Sequence, residues 1–260
     1  MITADLHIHT NYCDGVSSIE EIIQSAIKKG LCAVGISSHG YTDFDTSYCI
    51  KKENIPKYLK EIEALKDKYK DKIKVLTGVE QDLFSSSATE GYDYVIGSMH
   101  YIKSGDAYYS LDSKPEGFMS IVNKLFNGDS YSLAEQYFRD FSNALLNKKV
   151  DIIGHFDLLT KYNEDGKLFD INHPRYVAAY KGAIDKIISL NIPFEINTGA
   201  ISRGYRTEPY PSMQIIKYIR DSGGSFILSS DSHSADTVAF ELDKWAKELE
   251  NLELKILNVK

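Results

Sequence analysis

The sequence predicts an α/β fold, an irregular parallel barrel of seven strands with helical crossovers. Three observations carry this. Seven short apolar runs alternate with helical patterns, which implies parallel strands joined by right-handed crossovers. A length of 260 residues with 43% hydrophobic content suits one large core. Six of the seven histidines stand at or just after the end of an apolar run, where a barrel strand hands over to its loop. An open doubly wound sheet has the same alternation, but a site drawing on all but one of the seven strands is easier to build on a closed ring.

The elements follow in order. A strand near residues 2–8 meets a turn at Asp14-Gly15. Ser17-Ser18-Ile19-Glu20 reads as a capping box, opening a helix whose Ile19, Ile22, Ile23, Ala26 and Ile27 share one face. Gly30 ends it, and 32–37 is the second strand. Pro56 opens a charged helix to about residue 71; strands three and four are 73–79 and 92–99. A loop with tyrosine and glycine (101–113), a candidate cover for the barrel mouth, precedes helices at 115–126 and 131–148, split by Asn127-Gly128-Asp129. Strand five (150–154), a helix from 174 to 190, strand six (192–197) and a helix at 212–222 closed by Gly223-Gly224 come next. Strand seven (226–230) and an amphipathic helix (236–250) complete the pattern. With no internal repeat, low-complexity stretch or linker, the expectation is one domain over 1–260 with a helical insert at about 114–148.

A net charge of −7 gives no general attraction to nucleic acid or to an anionic membrane. The three cysteines, Cys13, Cys32 and Cys49, form no C-x-x-C pair, and their odd number argues against a disulfide framework. The first residues lack a basic and apolar leader pattern, and no apolar stretch approaches the roughly 20 residues that span a bilayer. A soluble, cytoplasmic protein is expected. No feature sets an oligomeric state.

His7 and His9 alternate with Ile8, so both imidazoles leave one face of a strand and can share an ion. Asp231-Ser232-His233 repeats that spacing at the last strand. His39, His100 and His155 end strands two, four and five, and Glu80 ends strand three. Each alone is an ordinary polar residue, and Asp14 beside Gly15 is ordinary turn chemistry. The joint pattern decides: only His173, beside Pro174 at a helix start, falls outside it. The nine candidates (His7, His9, Asp14, His39, Glu80, His100, His155, Asp231 and His233) exceed the needs of one tetrahedral zinc. They suit two or three ions, with Glu80 a natural bridge because a carboxylate has two oxygens to share.

Together Asp5-Leu6-His7-Ile8-His9-Thr10, Asp14-Gly15, His39, Gly78-Val79-Glu80, Gly97-Ser98-Met99-His100, Gly154-His155 and Ser230-Asp231-Ser232-His233 resemble the polymerase and histidinol phosphatase (PHP) superfamily. The resemblance implies an irregular seven-stranded barrel of the PHP type holding three divalent ions (zinc, manganese or iron). It assigns His7, His9, Glu80 and Asp231 to one ion, Glu80, His100 and His155 to a second, and Asp14, His39 and His233 to a third. One departure is Ser37-Ser38-His39, where many members have Thr-Asp-His.

Ions held by nitrogen and oxygen suit hydrolysis of a phosphate ester, because they acidify water and hold phosphoryl oxygens. Neither G-x-S-x-G nor C-x5-R is present. Asp231, Glu80 and His233 are the catalytic candidates, with Asp231 both binding metal and orienting the nucleophile. Arg203, Arg206 and Lys161, in loops after strands six and five, are candidate phosphate ligands, Arg203 foremost. Glu195-Ile196-Asn197-Thr198-Gly199 through Arg203, Pro209-Tyr210-Pro211-Ser212, Gly154-His155-Phe156-Asp157 and Glu135-Gln136-Tyr137-Phe138 are similar to the histidinol-phosphate phosphatase branch. The stretch between Glu80 and Tyr92 is short for that branch. The resemblance thus implies a phosphoric monoester hydrolase acting on L-histidinol phosphate in histidine biosynthesis. The alternative is a PHP-type phosphoesterase for a nucleotide or another small phosphate ester; the acidic balance and lack of a basic stripe count against polymers. A non-catalytic metal-binding module would be expected to have lost ligands.

Overall fold

The computed structural model describes residues 2–257. Its first strand, β1 (Ala4–Asp5), is short and leads straight into the His7-Ile8-His9 segment. Helix α1 (Ile19–Lys28) follows, capped by Ser18, whose hydroxyl accepts from the Glu21 N–H while the Ser18 N–H donates to the Glu21 carboxylate. This box lies one residue later than the predicted one because Ser17 is used elsewhere: its hydroxyl accepts from the Ala235 N–H at 2.9 Å. Then come β2 (Ala33–Ile36), α2 (Ile55–Tyr69), β3 (Lys74–Asp82) and β4 (Tyr94–Ser98). Strand β3 outruns its predicted end because Gln81 and Asp82 still pair with Gly97 and Ser98.

The 101–113 segment is not the expected open loop. It folds into an antiparallel hairpin, β5 (Tyr101–Ser104) and β6 (Ala107–Ser110), turning on Gly105-Asp106. Gly105 has a φ of +59°, the left-handed conformation that such a two-residue turn requires. Helices α3 (Pro115–Phe126) and α4 (Ser130–Leu145) come next, the second capped by Asp129. After β7 (Ile152–Ile153) come α5 (Pro174–Ile187), β8 (Phe194–Asn197), a short α6 (Gly199–Ser202), α7 (Met213–Asp221), β9 (Phe226–Ser229) and α8 (Leu242–Glu248). The last predicted helix is therefore shorter than expected. Ala239 and Glu241 are left-handed, and the Ala239 N–H donates to the Asp5 carboxylate at 2.8 Å, which holds the chain out of helical register.

Seven parallel strands run in the order β1-β2-β3-β4-β7-β8-β9. The two edges meet just beyond the strands proper, where Ile8 and Ser232 form a parallel bridge. The His9 N–H donates to Ser232 O at 2.7 Å and the Ser232 N–H to His7 O at 3.1 Å. Asp5, fully buried, adds a clamp by accepting from the Ser230 N–H at 3.0 Å. The ring thus closes at the level of the histidines.

Leu6, Tyr94, Ile96, Ile152 and Ile227 form a buried apolar cluster contributed by β4, β7, β9 and the segment after β1. The Tyr94 hydroxyl donates to Leu6 O at 2.5 Å, and the phenol group passes so near β2 and β3 that a Cβ on Gly35 would lie 2.0 Å from its hydroxyl oxygen and one on Gly78 2.2 Å from its ring. Glycine is needed there for space. Helices α1 and α2 cover one side with Ile22, Ile23, Tyr58 and Ile62; α4, α5 and α7 cover the other with Tyr137, Phe138, Phe141, Tyr176 and Ile216. Fully burying each such side chain contributes about 1.5–3 kcal/mol, which is why the amphipathic helices pack against the strands. No helix among the described residues is long and apolar enough to cross a membrane.

Candidate metal centre

Eight of the nine candidate ligands stand at or just beyond the C-terminal ends of strands, Asp14 stands on the turn that follows His9, and all nine converge. Glu80, on β3, is at the middle, 1% exposed. Its Oε2 lies 3.2 Å from His7 Nε2, 3.4 Å from His9 Nε2 and 2.8 Å from His39 Nδ1. Its Oε1 lies 2.9 Å from His155 Nε2 and 3.4 Å from His100 Nε2. Two residues beyond β9, Asp231 places Oδ1 3.1 Å from His9 Nε2 and 3.8 Å from His7 Nε2. Asp14, on its turn, stands 3.7 Å from His9 Nδ1, 3.7 Å from His39 Nε2 and 3.4 Å from His233 Nε2. Three groups have ligand atoms within 4.8 Å of one another: His7, His9 and Glu80; His39, Glu80 and His100; and His9, Asp14, His39 and His233.

The donor set fits divalent ions. His7 Nε2, His9 Nε2 and Glu80 Oε2 are all buried, have no hydrogen-bond partner and face one another. Leaving such groups unpaired is costly, and a cation between them removes the cost. Imidazole nitrogen with carboxylate oxygen is the chemistry of zinc, manganese and iron.

Electrostatics point the same way. Burial alone would raise the Glu80 carboxyl; His39, His7 and His100 instead hold it well below the usual carboxylate range. Burial likewise opposes ionisation of Asp231, and Arg203, followed by His7, overcomes it. Burial lowers His9 to about 3, helped by His233 and His39, so that ring is neutral and free to donate a lone pair. Burial would also lower His7, yet Glu195, Glu80 and Asp231 raise it well above the ordinary imidazole value. Cys13 lies 3.6 Å from His9 Nδ1, but burial pushes its thiol up to about 11, so it is a neutral neighbour.

A cavity of about 270 Å³ opens over the cluster, of a size for a small molecule. Arg203 and Lys161 both line it. Arg203 Nη2 donates to Asp231 Oδ2 at 3.1 Å, and Nη1 stands 3.2 Å from His233 Nδ1. Lys161 donates to Asp112 O at 3.0 Å and Asp112 Oδ2 at 3.3 Å. Arg206 is not on the cavity wall. Its guanidinium is buried, donating to Thr160 Oγ1 at 2.6 Å and Glu208 O at 3.2 Å and lying over the Tyr210 ring. Three residues after Arg203, it is turned inward by these acceptors, so it braces the loop instead of reaching a substrate. His173 caps α5, accepting from the Arg175 N–H, and stacks on Tyr131, outside the cluster as expected.

Several residues of the site escaped the sequence reading. Glu195 accepts from His7 Nδ1 at 2.5 Å, and Asp82 pairs with His100 Nδ1 at 3.2 Å. Asn197 donates to Asp231 Oδ2 at 3.3 Å. The signal was there: Glu195 and Asn197 alternate with Phe194 and Ile196 on β8, as Glu80 and Asp82 alternate on β3, so each pair shares a strand face. Asp45, Tyr48, Tyr101 and Asp112 also line the cavity, and the Tyr101 hydroxyl donates to Asp45 at 2.8 Å. The hairpin thus contributes to the wall.

A family model described as PHP domain matches residues 5–199. A Deinococcus radiodurans protein named "probable histidinol-phosphatase" is 27% identical over 262 residues, covering 95% of this chain and 93% of its own length. The Bacillus subtilis histidinol-phosphatase is 22% identical over 260 residues, covering 91% of this chain and 95% of its own. A crystal structure of histidinol phosphate phosphatase from Lactococcus lactis, complexed with zinc, L-histidinol and phosphate, superposes with a TM-score of 0.74. It covers 98% of this chain and 95% of its own at 21% identity, a likeness that establishes the shared fold.

Proposed function

The chain belongs to the PHP domain family, and from that premise we propose that it is a metal-dependent phosphomonoesterase that hydrolyses L-histidinol phosphate to L-histidinol and phosphate in histidine biosynthesis. One observation carries the reading: eight imidazole and carboxylate side chains gather around Glu80 beneath a small cavity walled by Arg203 and Lys161. His7, His9, Glu80 and Asp231 would hold one ion, Glu80, His100 and His155 a second, and Asp14, His39 and His233 a third, of zinc, manganese or iron. Such ions supply Lewis acidity and a nucleophile at neutral pH.

The protein's own groups do the rest. Arg203 keeps Asp231 ionised and aimed at His9, and its cavity-facing position suits a fork to phosphate oxygens. Asp231, next to His9, His233 and Arg203, orients the attacking oxygen, and Glu80 and His233 complete the reacting face. Lys161 carries the second positive charge of the wall. Asp45 and Asp112 oppose these cations with carboxylates, which suit the ammonium and imidazole of histidinol better than an anionic nucleotide. The net charge of −7 favours a small ester over a nucleic acid. Helices α3 and α4 stand as an insert within one catalytic domain, and three free cysteines suit the cytoplasm.

The test is phosphate release from L-histidinol phosphate, 3′- and 5′-nucleotides and an aryl phosphate, with zinc, manganese or iron added. Turnover should favour histidinol phosphate. Equal turnover of every ester removes that substrate and leaves a general metal phosphatase.

A further inference from the structure

We infer that Glu195 is a positioning residue that presets the deepest part of the centre, by fixing which ring nitrogen His7 presents to an ion. The inference rests on reading the cluster as a metal centre. Glu195 is fully buried on β8, and its two oxygens meet four donors. Oε1 pairs with His7 Nδ1 at 2.5 Å and accepts from the Ser229 hydroxyl. Oε2 accepts from the His155 N–H at 2.8 Å and from Asn197 Nδ2 at 2.9 Å. The same Asn197 amide reaches Asp231, and its Oδ1 accepts from the Gly199 N–H at 2.8 Å. One carboxylate therefore ties down three candidate ligands, His7, His155 and Asp231, drawn from the ends of β1, β7 and β9.

The tautomer follows from that geometry. A carboxylate only accepts, so His7 Nδ1 must carry a proton, and the lone pair is left on Nε2, the atom that faces Glu80 Oε2 and has no hydrogen-bond partner. Asp82 stands behind His100 in the same way. His9, His39 and His233 differ: their carboxylate neighbours are Asp14, Glu80 and Asp231, all candidate ligands themselves. Glutamine at position 195 keeps the shape, but one of its two terminal atoms becomes a donor, so it cannot accept from all four partners.

The test compares zinc retention by the wild-type and Glu195→Gln proteins against increasing chelator, with the melting temperature of each zinc-free protein measured alongside. The variant should release its most tightly held zinc at roughly ten- to a hundredfold lower chelator. Excess zinc should restore kcat, with KM for the ester near the wild-type value. Unchanged retention overturns the inference. Should the variant fail to fold, ¹⁵N–¹H spectra of imidazole-labelled, zinc-loaded wild-type protein decide: a protonated Nδ1 and metallated Nε2 on His7 support it, and the reverse overturns it. Wild-type protein that takes up no zinc sinks the metal-centre reading itself, which separates that failure from a zinc-binding protein indifferent to Glu195.

Discussion

The inner and outer halves of the cluster are built differently. His7 and His100 project from strand ends, are at most 9% exposed in their side chains, and each has a carboxylate behind it, Glu195 or Asp82. Asp14 and His233 sit on turns, with side chains 37% and 20% exposed, and depend on each other, on His39 and on Arg203. Backbone ladders hold the inner imidazoles with little freedom, whereas a turn residue has to be ordered by its ligand. The inner half is therefore expected to bind tightly, and the outer half to exchange.

Substitutions can break or sharpen that contrast. Glu80→Ala, at the junction of both halves, should lower kcat by roughly 10²- to 10³-fold and strip ions from both, as read by kinetics and metal analysis. Retention of full zinc content would contradict its central place. Arg203→Ala removes a charged hydrogen-bond donor worth about 1.5–3 kcal/mol, so kcat/KM should fall roughly ten- to a hundredfold with inner zinc retained. A variant with wild-type kinetics would take Arg203 out of the site. His233→Ala should cost one ion and leave the inner ions in place; loss of all metal together would mean the halves are not separable.

Acidity tests the inner half without its ions. Glu80 and Asp231 are held below their ordinary values, so their contribution is present above about pH 4.5 and is lost as the pH falls. His7 and His100 are raised above 6.5, so theirs is complete below that pH and is lost as the pH rises through the folded values. His9, lowered to about 3, contributes stability that is lost as the pH falls below about 6.5, so zinc-free protein should melt highest near pH 6.5, and a monotonic rise to pH 8 would refute the pairing. The smallest effect should come from Tyr94→Phe. Losing the hydrogen bond to Leu6 O costs about 1 kcal/mol in denaturant melts and should leave metal content untouched.

The strands and their order were legible because each is a short apolar run between clear helix signals. Placement of His7, His39, Glu80, His100, His155 and Asp231 followed from the same punctuation. Glu195 stood only within a family-like stretch and Asp82 in none, and neither had a role in the site, since an acidic residue inside a strand becomes meaningful only when its partner across the barrel is known. Arg206 shows the opposite limit. Its residue type and loop position do not separate it from Arg203; Thr160, 46 residues earlier, together with Glu208 O holds it away from the cavity. The hairpin at 101–110 was hidden because its flanks are partly polar, although Gly105-Asp106 carried the turn signal.

Side-chain chemistry and strand periodicity are properties of the chain alone. They determined the α/β ring and the identity of the nine candidate ligands, because residues ending successive parallel strands must gather on one rim. The tertiary structure decided which carboxylate backs which imidazole, which arginine faces the cavity, and where Ile8 meets Ser232 to close the ring. Those outcomes depend on contacts a few ångströms long between positions as much as 225 residues apart, and no local pattern encodes them.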